Sequence, residues 1–90
     1  MRVALICTDK TGALQIRVDN RPAHLAYIAE TGVVEMAGPF LDPQGRMNGS
    51  LIVLSVDSLQ AGQDWAASDP YAKAGLFQHV TVTEWKKVVG

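Results

Sequence analysis

Two side chains in this chain of 90 residues have types that reach beyond packing, His24 and Asp69. His24 lies in the stretch NRPAHLAYI, where helical spacing puts it on one face with Ile28 and near Tyr27. An imidazole titrates near neutrality, so it suits a general acid or base. The same residue, half-buried with one nitrogen on a backbone carbonyl, would be structural only. Asp69 lies in SDPY. Asp-Pro initiates turns, and the carboxylate bonds nearby backbone donors. Set against His24, that carboxylate would instead fix the tautomer of the ring and stabilise its imidazolium form, as in hydrolase triads. Arg21, one turn before His24, is either a grip for an anionic substrate or a solvated residue at a helix start. Ser50 and Tyr71 are secondary candidates for a pocket. Ser50 equally suits the start of a strand, and no Gly-x-Ser-x-Gly motif accompanies it.

The remaining reactive types fall to structural readings. His79, in FQHVTV, reads as a solvated or interfacial strand residue. Cys7 has a strand-interior address and no adjacent basic residue, which fits a small buried hydrophobe better than a thiolate nucleophile. Two histidines and one cysteine, at no ligand spacing, do not make a dedicated metal site. The glycines of KTGA and AGLFQHV do not form a phosphate loop. Trp65 and Trp85 read as core or interface anchors.

Positioning these residues falls to six expected elements. VALIC, Val3 to Cys7, is a short apolar run that predicts a buried strand. Ala13 to Glu30 reads as helical but interrupted. Pro22 disfavours helix at Arg21, and Asn20 is a good cap for a restart, with Leu25, Ile28 and Ala29 giving an apolar face up to Gly32. Val33 to Phe40 and Ser50 to Val56 read as two strands of a hairpin, joined by the long turn-rich stretch LDPQGRMNG. DSLQAGQDWAAS is a short helix capped by Asp57 or Ser58, with Leu59, Trp65 and Ala66 as core contacts and Asp69-Pro70 as its terminating turn. LFQHVTVTEWKKVV closes the chain as a long strand.

Strand, helix, strand, strand, helix, strand over residues 1–90 predicts a single ferredoxin-like α+β domain. Its antiparallel sheet would carry both helices on one face. The start of the first helix and the end of the second can then meet, which brings His24 towards Asp69. The other sheet face would hold some of Val3, Leu5, Leu51, Val53 and Val82, and these need cover. A homodimer packed sheet to sheet supplies it, and a chain this short also gains from sharing a core. A formal charge of −1, with scattered arginines, gives no footprint for nucleic acid. The five apolar residues between Arg2 and Thr8 are too few for a signal peptide or a membrane span. With one cysteine and no intrachain disulfide, the expected location is the cytoplasm.

The stretches ICTDKTGALQIR, RPAHLAYI, AGPF, DPQGRMNGSLIVL, DSLQAGQDWAASDPYAKAGLF and VTVTEW, in this order over nearly the whole chain, resemble the YciI-like (YCII-related) family of dimeric α/β-barrel proteins. The pairing of RPAHLAYI with DPYAKAGLF is what makes the resemblance specific. It implies a ferredoxin-like subunit, a sheet-to-sheet dimer and a His–Asp site that falls on His24 and Asp69. It also implies cofactor-independent proton transfer of lyase or isomerase type, with a dehydrochlorinase and muconolactone isomerases among similar proteins. Two rivals stand beside this reading. In one, a dimeric module binds an unidentified small metabolite without turnover; in the other, the pair is only a buried hydrogen bond.

Overall fold

A computed structural model describes residues 1–90. The chain runs β1 (Arg2–Asp9), α1 (Leu14–Thr31), β2 (Val34–Leu41), β3 (Met47–Ser55), α2 (Leu59–Ser68), α3 (Pro70–Lys73) and β4 (Phe77–Trp85). The four strands form one antiparallel sheet in the order β2-β3-β1-β4. This is the ferredoxin-like α+β architecture. No helix is long and apolar enough to cross a membrane.

Side chains alternate across a sheet, so register decides which face each one joins. Val3 pairs with Leu54, Leu5 with Ile52 and Cys7 with Ser50. These positions face the helices, and the apolar ones are sealed there with Trp65 of α2. Val82 pairs with Leu5 and shares that face. Of the apolar residues expected on the uncovered face, only Leu51 and Val53 belong there, because their cross-strand partners are Ile6 and Ala4. Ile6, Met36, Phe40 and Trp85 lie on that face too and are exposed.

Helix α1 runs unbroken from Leu14 to Thr31 with Pro22 inside it, so it does not restart at Asn20. Asn20 instead donates its side-chain amide to the Ile16 carbonyl. A proline in a helix removes one backbone hydrogen bond. Here the turns on either side are held down by inward-facing side chains, and the helix carries on. Its inward stripe is not the apolar one expected. Leu25 and Ala29 are exposed, while Arg17 and His24 are buried and Tyr27 and Ile28 pack on the core. Gly32, at φ 66°, ends the helix and donates its amide to Ile28.

The hairpin loop is shorter than expected. β2 and β3 reach Leu41 and Met47, which leaves Asp42 to Arg46 as the connection. Asp42 closes it by accepting from the backbone N–H groups of Gln44 and Arg46, with Gly45 at φ 81°. β4 is also shorter. It ends at Trp85 because Trp85 pairs with Arg2, where β1 begins, and no partner strand lies beyond.

In α2 the hydroxyl of Ser58 accepts from the N–H of Ala61. Trp65 is buried, but Leu59 is exposed because the helix turns its first residue outwards. The indole N–H of Trp65 donates to Thr31, and the Tyr27 hydroxyl donates to the Trp65 carbonyl, which ties α2 to α1. α2 lies close enough to the sheet that a Cβ at Gly62 would come within 2.8 Å of Val3 Cγ1. Gly→Ala at an open helix site usually gains about 0.5–1 kcal/mol. Here the overlap decides the sign, and Gly62→Ala is expected to cost about 1–3 kcal/mol, read as a lower urea midpoint. A midpoint that rises would mean α2 moves off the sheet freely.

Candidate active site

Asp69 does two structural jobs. It follows α2, and it caps a further short helix, α3, where a simple terminating turn was expected. Its Oδ1 accepts from the backbone N–H of Tyr71, and Pro70 occupies the first helical position, where its missing N–H is not needed. The cap holds the carboxylate in one orientation. The same Oδ1 lies 2.8 Å from Nδ1 of His24. Asp69 is 1% exposed and His24 6%. A carboxylate can only accept, so Nδ1 carries the proton and Nε2 presents its lone pair.

Tyr71 builds the other side. Its ring stacks on the His24 imidazole, with centroids 3.9 Å apart and planes 16° from parallel. Phe77 meets the Tyr71 ring edge-on. Burial pushes the Tyr71 hydroxyl up from its ordinary value, although Arg17 pulls the other way, so it remains a protonated donor at neutral pH.

Arg17 is the part of the site that the sequence reading passed over as one of several scattered charges. It lies two turns before His24 on the inward stripe and is 3% exposed. Its Nε and Nη2 donate to the two oxygens of Asp9, each at 2.8 Å, and Nη2 also donates to Ser50 Oγ at 2.9 Å. The guanidinium carbon lies 4.8 Å from the centre of the Tyr71 ring. Burial opposes the charge of Arg17, but the Asp9 carboxylate outweighs it and holds the group above its ordinary range. The spacing of seven between Arg17 and His24 was the available signal, since it places both on one helix face.

These side chains border a cavity of about 90 Å³ between α1 and the β2–β3 hairpin. Arg17, Arg21, His24, Ser50 and Tyr71 give its polar lining, and Leu25, Ile28 and Ile52 are among the apolar part. Asp69 stands behind His24, outside the lining. Of the five residues expected at the site, the structure gathers His24, Asp69, Ser50 and Tyr71 by contact through Arg17 or each other. Arg21 joins at the exposed rim without a hydrogen bond or ion pair. His79 lies on the uncovered sheet face, within reach of Thr81 only. No three His, Cys, Asp or Glu residues come together in a way that would hold a metal ion.

One buried side-chain polar atom has no partner, Asp69 Oδ2. Oδ1 of the same carboxylate takes both of its hydrogen bonds, from His24 Nδ1 and the Tyr71 backbone N–H. His24 Nε2 makes no hydrogen bond within the protein and is not sealed off, so it is open to whatever enters the cavity. Asp69 also raises the nearby Cys7 thiol. Burial first, then that carboxylate, pushes it up to about 12. The thiolate is the reactive form, so folded protein is expected to resist a thiol reagent at about pH 8 and to label fully when denatured. The unfolded chain releases this proton near 9 and the folded chain holds it to about 12. Stability is therefore expected to fall as pH rises through that window.

The chain matches the family described as YCII-related domain over residues 1–86. It is 37% identical to Protein YciI of Escherichia coli O6:H1, covering 98% of this chain and 99% of that one. Among solved structures it is similar to the 5-chloro-2-hydroxyhydroquinone dehydrochlorinase of Burkholderia phenoliruptrix AC1100, in complex with 2,5-dihydroxybenzoquinone. That likeness has 33% identity and a TM-score of 0.86, covering 96% of this chain and 94% of the other. A ferredoxin-like protein of Bacteroides fragilis has a TM-score of 0.56 at 14% identity, which speaks for the fold alone.

Proposed function

The chain belongs to the YCII-related domain family, and on that premise we propose that it is a small-molecule enzyme that moves a proton with the His24–Asp69 pair. The observation that carries this reading is the division of labour on the imidazole. Nδ1 is committed to a buried carboxylate, and Nε2 is free at a cavity. Nε2 takes a proton from an acidic O–H or C–H of the substrate, and Asp69 stabilises the imidazolium that results. The electron pair left behind moves into the substrate. It either returns as a new C–H bond elsewhere, which is isomerisation, or expels a leaving group, which is elimination. The dehydrochlorinase likeness supports elimination. In that case the proton goes to Nε2, the C–Cl bond breaks with its electrons, and chloride departs.

The test is chloride release from 5-chloro-2-hydroxyhydroquinone and a panel of chlorinated hydroquinones, read with a chloride electrode. Release by the wild-type chain that His24→Gln abolishes supports the reading. If no member of the panel, nor any lactone isomerisation substrate, is turned over while a metabolite binds tightly, the chain is a binding module.

We also propose that a second copy covers the open sheet face. Ile6, Met36, Phe40 and Trp85 are exposed around Leu51 and Val53, with the Arg2–Glu35 ion pair at one end of the face. Ile6→Glu is expected to turn a dimer into a monomer in sedimentation; a wild-type monomer at micromolar concentration would remove the proposal.

A further inference from the structure

We infer that the second copy seats a side chain in a notch at Gly38 and so braces the strand that walls the cavity. The inference rests on the proposed sheet-to-sheet contact and adds what that contact does for the site. Glycine weakens a strand, because it orders a freer backbone and brings no side chain to pack. Two other glycines of the chain are kept small by their neighbours. A Cβ would meet Val3 at Gly62 and the Cys7 carbonyl at Gly49. Gly38 has no such neighbour. Nothing lies within 4 Å of the place its Cβ would take, and its φ is not positive. No contact within the chain therefore asks for glycine there. Inside a strand, that leaves close approach by something outside the chain.

Gly38 pairs with Leu51, so it lies on the open side of the sheet. Met36, Phe40 and Leu51 surround it and form a hollow of about 220 Å³, with Ala37 and Pro39 completing the rim. Ala37 and Pro39 pair with Ile52 and Ser50, which puts them on the other face, and they line the cavity beside His24. One thickness of strand at Ala37-Gly38-Pro39 thus divides the hollow from the site. β2 is an edge strand joined to β3 alone. Its register slips on either side of this segment, at Val34/Met36 and at Phe40/Leu41. Every residue from Glu35 to Leu41 is exposed. Beyond its ladder with β3, this wall has no support from its own subunit.

The occupant is a second copy because one face supplies both halves of the contact. Ile6 and Trp85 stand exposed on β1 and β4, while the hollow lies on β2. Two copies set face to face can each offer a side chain to the other's notch. The face spans four strands of eight or nine residues. Seen flat, that is roughly 500 Å² per copy, so a pair reaches the ~1,000 Å² that a specific interface needs. Arg2 and Glu35, at one end, are spent on each other, so the face does not select a charged partner.

Gly38→Val fills the notch without meeting its own chain. The variant is expected to fold with an unchanged or higher urea midpoint as a monomer, since valine suits a strand. Its association, read by sedimentation, is expected to weaken by about a hundredfold, because both notches of the symmetric pair are filled. Hydrogen exchange followed by mass spectrometry reads the bracing. The Ile6→Glu monomer is the reference, because it leaves the sequence of β2 intact. The peptide Val34–Leu41 is expected to exchange about tenfold more slowly in the wild-type dimer than in that monomer, with a smaller change in α2 on the far side of the sheet. A folded Gly38→Val that associates like a wild-type dimer would overturn the notch and leave the two-copy reading standing. Equal β2 exchange in dimer and monomer would overturn the bracing. A wild-type chain that stays monomeric would remove the two-copy reading and this inference with it.

Discussion

Replacing His24 by glutamine is expected to lower kcat by about 10²–10⁴-fold, the usual share of general acid–base catalysis, while KM changes little. Glutamine is close in length, its amide can still donate to Asp69, and it is no base near neutral pH. The substitution therefore removes the proton acceptor and keeps most of the packing against Tyr71. The split between kcat and KM is what separates the readings. A binding module uses His24 equally in every bound state, so its loss would appear as weaker affinity. A base acts only as the proton leaves, so its loss appears in kcat. Asp69→Asn is the companion variant. Its side-chain oxygen can still accept from His24 Nδ1 and the Tyr71 amide, which preserves the cap on α3. The charge that stabilises the imidazolium is gone. A drop in kcat with an unchanged urea midpoint would assign Asp69 to the chemistry, whereas a drop in the midpoint alone would assign it to the fold.

Most of the architecture was legible because its signals are local. The apolar run at Val3–Cys7, the caps at Ser58 and Gly32 and the alternation in β4 each specify one element, and their order restricts the topology to few choices. What was misread depends on partners far along the chain. The length of β4 is set by where β1 begins, which no pattern within β4 records. Pro22 looked like a break because propensity treats the helix alone, while in the fold its neighbouring turns are held by contacts to the sheet and α3. The site shows the same division. Residue type and local motif made His24 and Asp69 candidates, the family resemblance paired them, and the fold brings them into contact. Arg17 was missed because a cation in a helix reads as solvated unless its inward face is known, and that face was mistaken for the one holding Leu25 and Ala29. An arginine and a histidine seven apart, with a carboxylate ending the preceding strand, was the pattern to weigh.

The Arg17–Asp9 pair carries the second large effect. Asp9→Ala removes the carboxylate and strands a guanidinium whose side chain is 3% exposed. Breaking a buried pair from one side costs about 3–5 kcal/mol, because a charge is left without compensation. A domain of this size has roughly 5–15 kcal/mol in total, so the variant is expected to melt tens of degrees lower or to fail to fold at physiological temperature. Two features set where in that range it falls. Ser50 still accepts one N–H, and Asp9 borders the groove between α1 and the hairpin tip, through which water can reach the vacated space. The double variant Asp9→Leu with Arg17→Met removes both charges and is expected to recover much of the loss, since an apolar pair of similar volume replaces a buried ion pair at little cost. Urea denaturation of the three proteins gives the comparison. A loss under about 1 kcal/mol for Asp9→Ala would place the pair in the class of hydrated surface bridges. The double variant should meanwhile keep its fold, which would place the cost of Asp9→Ala in the uncompensated charge on Arg17.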